Sequence, residues 1–263
     1  MILRHQHFPQ QHGAAKSIPP VVIIPGLFGS IANWRSFAQA LSELTDVFVI
    51  EQRNHGESFH APTQSYQDMV DDLCNWCDAQ GLVKISLVGH SMGGKVAMCC
   101  AHWHPERLAS LAVLDIVPKR YIKSHAPFLK ALLAIDTSEL SSRSDADKRV
   151  QEAIPDQATR LFLLQNLRGK PGEYYWRINL QVLYDAMPEM IDFPINNRPI
   201  SEHRSLFLYG ENSTYVGDND LATLSAAFPT MQIQQVANAG HWLHADNPKE
   251  TLSLLKGFLQ KKD

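Results

Sequence analysis

The sequence has no long apolar segment, few cysteines and no excess of either charge. Its longest apolar run, residues 21–28, is interrupted by Pro25 and Gly26 and is too short to cross a bilayer. Residues 1–20 are polar and lack a stretch of signal-peptide length, so we expect a cytoplasmic protein. The formal net charge is -3, and lysine and arginine form no long cluster. Composition therefore gives no reason to expect nucleic acid or an anionic membrane as the main partner.

The four cysteines give little reason to expect redox or metal chemistry. Cys74 and Cys77 have the spacing of a redox motif, but they lie inside a helical pattern without the Gly/Pro turn that exposes a reactive pair. His102 and His104 flank a tryptophan near the end of a predicted helix, where they point to different faces. We expect no metal at either place.

The chain reads as alternating strands and helices, which predicts an α/β fold with a mostly parallel sheet covered on both faces. At 263 residues and 44% hydrophobic, it is long enough for one such domain with an insertion. Strands are predicted at residues 21–24, 47–50, 85–88, 108–114, 206–209 and 233–236. Helices are predicted at about 34–44, 66–78, 94–102, 221–228 and 249–259.

Residues 117–199 break this alternation, since they show helical periodicity and no convincing strand. We predict a core of residues 1–116 and 200–263 and an inserted helical cap at 117–199. Open α/β sheets bind ligands outside the carboxyl ends of their strands, which is where this insertion begins and ends, so we favour a lid over the site. The alternative is that the inserted helices pack elsewhere on the core and do not cover the site.

Gly89-His90-Ser91-Met92-Gly93 follows an apolar strand and precedes a helical segment, the context of a nucleophile elbow. In such an elbow a strained strand-to-helix turn exposes the serine hydroxyl, and the amide of the next residue, here Met92, faces a forming oxyanion. The base must come late in the chain, and His241 follows the last predicted strand. His55 is at best a wall residue of the site.

The acid of the predicted triad has more than one candidate. The segment after the strand that follows the insertion reads Gly210-Glu211-Asn212-Ser213, and the neutral hydroxyl of its serine cannot balance an imidazolium. Asp115 ends the strand expected beside the elbow strand and can reach the His241 loop, with Ser213 as an auxiliary partner. A helix N-cap is the structural alternative for Asp115, and Glu211, Asp218 and Asp220 are the next candidate acids.

Six segments together carry a resemblance to a known family. They are Gly26 to Ser30, Arg53 to Ser58, Gly89 to Lys95, Leu114-Asp115-Ile116, Trp176 to Asn179 and Gly240-His241-Trp242. From Val21 onward the chain resembles the α/β-hydrolase superfamily, and within it the bacterial YbfF-type esterases and their mitochondrial relatives. The resemblance implies a carboxylester or thioester hydrolase acting on modest-sized acyl groups, with a small helical cap after the sixth strand. It also implies Asp115 as the acid and no metal or organic cofactor.

Two departures from the family pattern bear on the predicted site. Pro25-Gly26 replaces the usual His-Gly before the oxyanion loop, but the backbone amides remain, so Leu27 and Met92 are the predicted oxyanion donors, with Phe28 as the alternative to Leu27. Glu51 stands where aspartate is usual, which we interpret as structural. The predicted substrate-binding residues are Phe28, His90, Phe128, Leu132, Phe162 and Trp242.

The predicted function is acyl transfer to water through an acyl-enzyme on Ser91. One alternative is a carbon–carbon bond hydrolase or a synthase-type lyase with the same triad. The other is a non-catalytic small-molecule receptor on a hydrolase fold. The expected partner is a small acyl ester or thioester, and neither nucleic acid nor a membrane span is predicted; the oligomeric state is left open.

Overall fold

The computed structural model describes residues 1–11, 18–196, 199–201 and 203–261, so Asn197 and Arg198 of the predicted insertion lie outside the described part. The strands are β1 (His5–Phe8), β2 (Val21–Ile24), β3 (Val47–Ile50), β4 (Ile85–His90), β5 (Leu108–Leu114), β6 (Leu167–Arg168), β7 (Tyr175–Trp176), β8 (Ser205–Gly210) and β9 (Met231–Val236). The helices are α1 (Ile31–Leu41), α2 (Tyr66–Ala79), α3 (Met92–Trp103), α4 (Ala126–Leu133), α5 (Arg143–Val150), α6 (Gln157–Leu164), α7 (Leu180–Asp185), α8 (Met187–Met190), α9 (Asp218–Ala227), α10 (Leu243–Asp246) and α11 (Pro248–Gln260).

Seven strands form one sheet in the order β1-β3-β2-β4-β5-β8-β9. All neighbours are parallel except β1, which runs antiparallel to β3 at one edge. The mostly parallel α/β fold predicted from the alternation is confirmed. β1 was missed, because four residues at an edge, two of them histidines, are too short and too polar to show a strand pattern.

Helices cover both faces of the sheet, since each has one apolar side to bury. α2 begins at Ser65, whose hydroxyl accepts a hydrogen bond from the Asp68 amide, and its buried side chains recur at helical spacing. α2 and α3 share one apolar cluster with one face of the sheet, while α1 and α11 share a second cluster with the other face. Within the described chain no helix is both long and apolar enough to cross a membrane.

The segment between β5 and β8 contains α4 to α8 and the antiparallel pair β6–β7. It follows the fifth strand in chain order, and not the sixth as predicted, because five strands precede it in the described chain. The β6–β7 pair was not expected, since two-residue strands carry no alternating pattern. Leu129, Leu163 and Leu183 of this segment are fully buried in the α2–α3 cluster. The insertion therefore packs directly on the core.

Candidate active site

Ser91 occupies the sharp turn between β4 and α3. Its backbone has φ 52 and ψ -122, a strained conformation for a non-glycine residue. A Cβ at Gly89 would collide with the Gly93 carbonyl, and one at Gly93 would collide with the Ile24 carbonyl. The turn therefore requires glycine on both sides of the serine, which explains the spacing of the motif in physical terms.

Asp115 lies one residue beyond β5 and is fully buried. Its Oδ1 accepts a hydrogen bond from the Gly210 amide at 3.0 Å, and its Oδ2 accepts one from the Ser213 hydroxyl at 2.5 Å. The same Oδ2 lies 2.7 Å from Nδ1 of His241. These hydrogen bonds fix the position of the carboxylate, and its contact with Nδ1 orients the His241 ring so that Nε2 is directed away from Asp115.

The other candidate acids are engaged elsewhere or are not described. Glu211 accepts a hydrogen bond from the Asn238 amide, and Asp220 forms an ion pair with Lys119. The side chain of Asp218 lies outside the described residues. Asp115 is thus the carboxylate that the structure brings to His241.

Two residues contact His241 and restrain it, and the sequence did not indicate either of them as its partner. The ring of Tyr215 stacks on its imidazole, with centroids 3.7 Å apart and planes at 12°. Nε2 of His90 lies 2.7 Å from the His241 carbonyl oxygen. Burial lowers the pKa of His90 well below its usual range, so this ring is neutral and donates its Nε2 proton to the carbonyl. Backbone and ring of the base are both restrained.

Ser91 and His241 line the same cavity of ≈ 210 Å³. Its walls are mainly apolar, and five predicted substrate-binding residues lie there: Phe28, His90, Phe128, Phe162 and Trp242. The sixth, Leu132, does not line this cavity; it follows Phe128 by one helical turn and is fully buried in the core. That part of the prediction is wrong, because a helical pattern shows which residues share a face but not how far along the helix that face borders the cavity.

Three further cavity residues come from segments far apart in the chain, which is why no local motif pointed to them: Trp34, His125 and His244. Trp34 and His244 stack with centroids 3.9 Å apart. Burial lowers the pKa of His125 to about 4 and that of His244 to about 3. Both imidazoles are therefore neutral at pH 7, so they add no positive charge around the base.

A second, smaller cavity of ≈ 50 Å³ also reaches Ser91 and is lined by Leu27 and Met92, the predicted oxyanion residues. The loop that carries Leu27 is tightly folded, since the Gly29 amide donates to the Gly26 carbonyl and Phe28 has φ 66. Asn166 of the insertion donates a hydrogen bond to the Phe28 carbonyl at 2.9 Å. The insertion thus fixes the loop beside the serine.

Lys95 is a buried residue of α3 whose ammonium points into the insertion. It donates to the backbone carbonyls of Ile191 and Asp192 at 3.0 and 2.7 Å, just past the end of α8. Burial lowers its pKa to about 7. This contact joins the helix that begins at the elbow to the end of the insertion, so the two parts hold the small cavity between them.

The Arg53–Ser58 and Trp176–Asn179 segments meet each other rather than the cavity. The Asn179 amide donates to the Asn54 carbonyl at 3.0 Å, and the two side-chain amides are 3.3 Å apart. His55, suggested as a wall residue, is buried, lies 2.9 Å from the Arg53 carbonyl through Nδ1, and lines neither cavity at Ser91. Its loop contacts the Trp176–Asn179 segment instead.

The Cys74–Cys77 spacing falls inside α2, and the four cysteines are unpaired thiols. Across the residues that the structure describes, no group of three or more histidine, cysteine, aspartate or glutamate side chains is placed to hold a metal ion.

Comparisons with known proteins agree with this geometry. A family model described as "alpha/beta hydrolase fold" matches residues 19–161. The chain is 39% identical to the Mus musculus protein named sn-1-specific diacylglycerol lipase ABHD11, over 92% of this chain and 81% of that protein. It is 32% identical to Escherichia coli esterase YbfF, over 98% of both. A solved structure titled "Marine microorganism esterase" has a TM-score of 0.90 at 34% identity and covers 98% of this chain and 99% of its own.

Proposed function

The chain belongs to the α/β-hydrolase family, and on that premise we propose that it is a serine hydrolase of carboxylic esters or thioesters of modest-sized acyl groups. One observation carries the proposal. A serine in a strained strand-to-helix turn and a histidine 2.7 Å from a buried carboxylate line one apolar cavity. This combination of nucleophile, base and orienting acid supports acyl transfer.

In the proposed reaction the Ser91 hydroxyl attacks the acyl carbon while Nε2 of His241 takes its proton. Asp115 stabilises the imidazolium that forms and keeps the proton of Nδ1 in place. The oxyanion accepts hydrogen bonds from the backbone amides of Leu27 and Met92. The imidazolium then protonates the leaving alcohol or thiol, and a water activated by the same base hydrolyses the acyl-enzyme.

The insertion at residues 117–199 is proposed to act as a cap that shapes the acyl site. Phe128, Phe162 and Leu163 belong to it and line the cavity beside Ser91. Their apolar surface favours burial of an acyl chain, whereas the cavity volume of ≈ 210 Å³ limits the size of the group that can be buried there.

The test is covalent labelling combined with substitution of the nucleophile. A fluorophosphonate probe should label Ser91, and Ser91→Ala should abolish both labelling and ester hydrolysis while the thermal unfolding temperature stays near that of the parent. The matched control is Ser110→Ala, which should keep activity. Ser110 is a buried serine of β5 that donates a hydrogen bond to the Ser86 hydroxyl. Labelling or full activity in Ser91→Ala would contradict the proposal, as would tight metabolite binding without turnover of any ester or thioester.

A further inference from the structure

The small net charge of the chain is unevenly divided between the insertion and the rest of the sequence. Between residues 117 and 199 there are 12 lysine and arginine residues against 10 acidic ones, out of 24 and 27 in the whole chain. The insertion therefore carries a positive balance while the rest of the chain is acidic. Overall composition concealed this difference, because opposite signs cancel when they are summed over the sequence.

The same insertion carries much of the exposed apolar surface. The large exposed apolar side chains there are Ile122, Leu133, Leu161 and Tyr175. Among them Ile122 is 100% exposed. Scattered apolar side chains are normal on a surface, but this one has cations on both sides in the segment Lys119-Arg120-Tyr121-Ile122-Lys123.

We call Lys119, Arg120, Ile122 and Lys123 the basic patch. Ion pairs fix its first two members: Lys119 pairs with Asp220 at 2.5 Å and Arg120 with Asp192 at 2.7 Å. Lys123 is exposed and makes no ion pair within the described ranges. The two carboxylates offset the charges of Lys119 and Arg120, so the patch presents one unpaired ammonium, that of Lys123, beside the exposed Ile122.

The basic patch borders an open groove of ≈ 580 Å³. Tyr121, His125 and Tyr215 line both this groove and the small cavity at Ser91, and Phe128 lines both the groove and the larger cavity. The groove beside the basic patch therefore adjoins both cavities at Ser91, and these shared side chains lie between them.

We propose that the basic patch docks the protein on an anionic lipid surface, with Ile122 inserted at headgroup level and the groove opening toward esters held there. The delivery of esters to the site rests on the proposed function, whereas docking on the lipid surface does not require catalysis. Cations gain free energy near an anionic surface, and an exposed aliphatic side chain gains by leaving water. The acidic remainder of the chain favours the orientation in which the insertion faces the lipid.

The test uses the full chain with Ser91→Ala, which separates binding from hydrolysis. It measures sedimentation with phosphatidylcholine vesicles prepared with and without phosphatidylserine. We expect binding only with phosphatidylserine, weaker binding at high salt, and a loss of roughly tenfold in affinity for Ile122→Asp. Val83→Asp is the matched control: Val83 is 76% exposed, precedes a lysine, and lies at the amino end of β4, away from the site. It should bind like the parent.

Equal sedimentation with both kinds of vesicle would overturn the proposal, as would equal losses for Ile122→Asp and Val83→Asp. Binding of the patch to an acidic protein without binding to vesicles would also overturn it. With Ser91 intact, Ile122→Asp should hydrolyse a water-soluble short ester normally but lose activity on an ester embedded in anionic vesicles. If vesicle binding depends on Ile122 and no ester is hydrolysed, docking stands and the proposed function fails.

Discussion

Replacing Asp115 with asparagine is the sharpest test of the proposed site. The side chain keeps its shape and remains fully buried, so the Gly210 amide can still donate to its oxygen. The position that faces the Ser213 hydroxyl and Nδ1 of His241 then becomes an amide N–H, which donates where the carboxylate accepted. The imidazole must turn its Nδ1 lone pair to this donor and carry its proton on Nε2, facing the serine.

A base protonated on Nε2 cannot take the Ser91 proton, and the imidazolium also loses its compensating charge. The equivalent change in a well-studied serine protease lowers turnover by about 10⁴, which corresponds to about 5.4 kcal/mol in the activation free energy. We expect a loss of the same order in kcat for Asp115→Asn. Ser213→Ala removes one neutral donor to the carboxylate, so it should cost about tenfold or less.

The assay is steady-state hydrolysis of a soluble ester by both variants, with thermal unfolding as the check on folding. A large loss for Asp115→Asn and a small one for Ser213→Ala support the assignment. Near-normal turnover by a folded Asp115→Asn, together with a crippled Ser213→Ala, would refute the reasoning, and Glu211, Asp218 and Asp220 would become the residues to test.

Two further predictions follow from the cavity and from a buried histidine. Phe162→Ala should shift the preference toward longer acyl chains, because it enlarges the cavity beside Ser91. The control Leu161→Ala changes an exposed neighbouring position and should leave the preference unchanged. Identical chain-length profiles for the two variants would contradict a cap that shapes the pocket. Burial lowers the pKa of His55 from 6.5 to about 4, so between these values the unfolded chain binds more protons and stability falls as pH falls. His55→Gln should flatten that dependence in thermal melts between pH 4 and 6.5; an unchanged slope would locate the acid sensitivity elsewhere.

The fold and the strand-to-helix turn at Ser91 could be predicted from the sequence because their signals are local. The apolar run of β4, the glycines around Ser91 and the helical pattern of α3 follow one another directly, and each predicts the next. Likewise, the alternation of strands and helices implies a parallel sheet without further information. The position of His241 followed from chain order.

What the sequence could not show depends on contacts between distant segments. Tyr215 stacks on His241 only because the ends of β8 and β9 lie side by side, and His125 reaches the cavity from the start of α4. Leu132 was misassigned for the same reason: helical spacing defines a stripe of side chains, and the packing of α4 against α7 decides what that stripe covers. The edge strand β1 needs its antiparallel partner β3 to be recognised.

The Asp115 carboxylate lies between the ends of β5 and β8 and accepts hydrogen bonds from Gly210, the last residue of β8, and from Ser213 in the loop that follows. The proposed mechanism requires a negative charge at that point beside the imidazole, and the loop at residue 213 approaches the same point from β8. The acid of the proposed triad can therefore be carried by the end of either strand. A chain with asparagine at 115 and aspartate at 213 would deliver its charge to the same imidazole nitrogen by a different route, so position in the sequence and position in the mechanism can change independently.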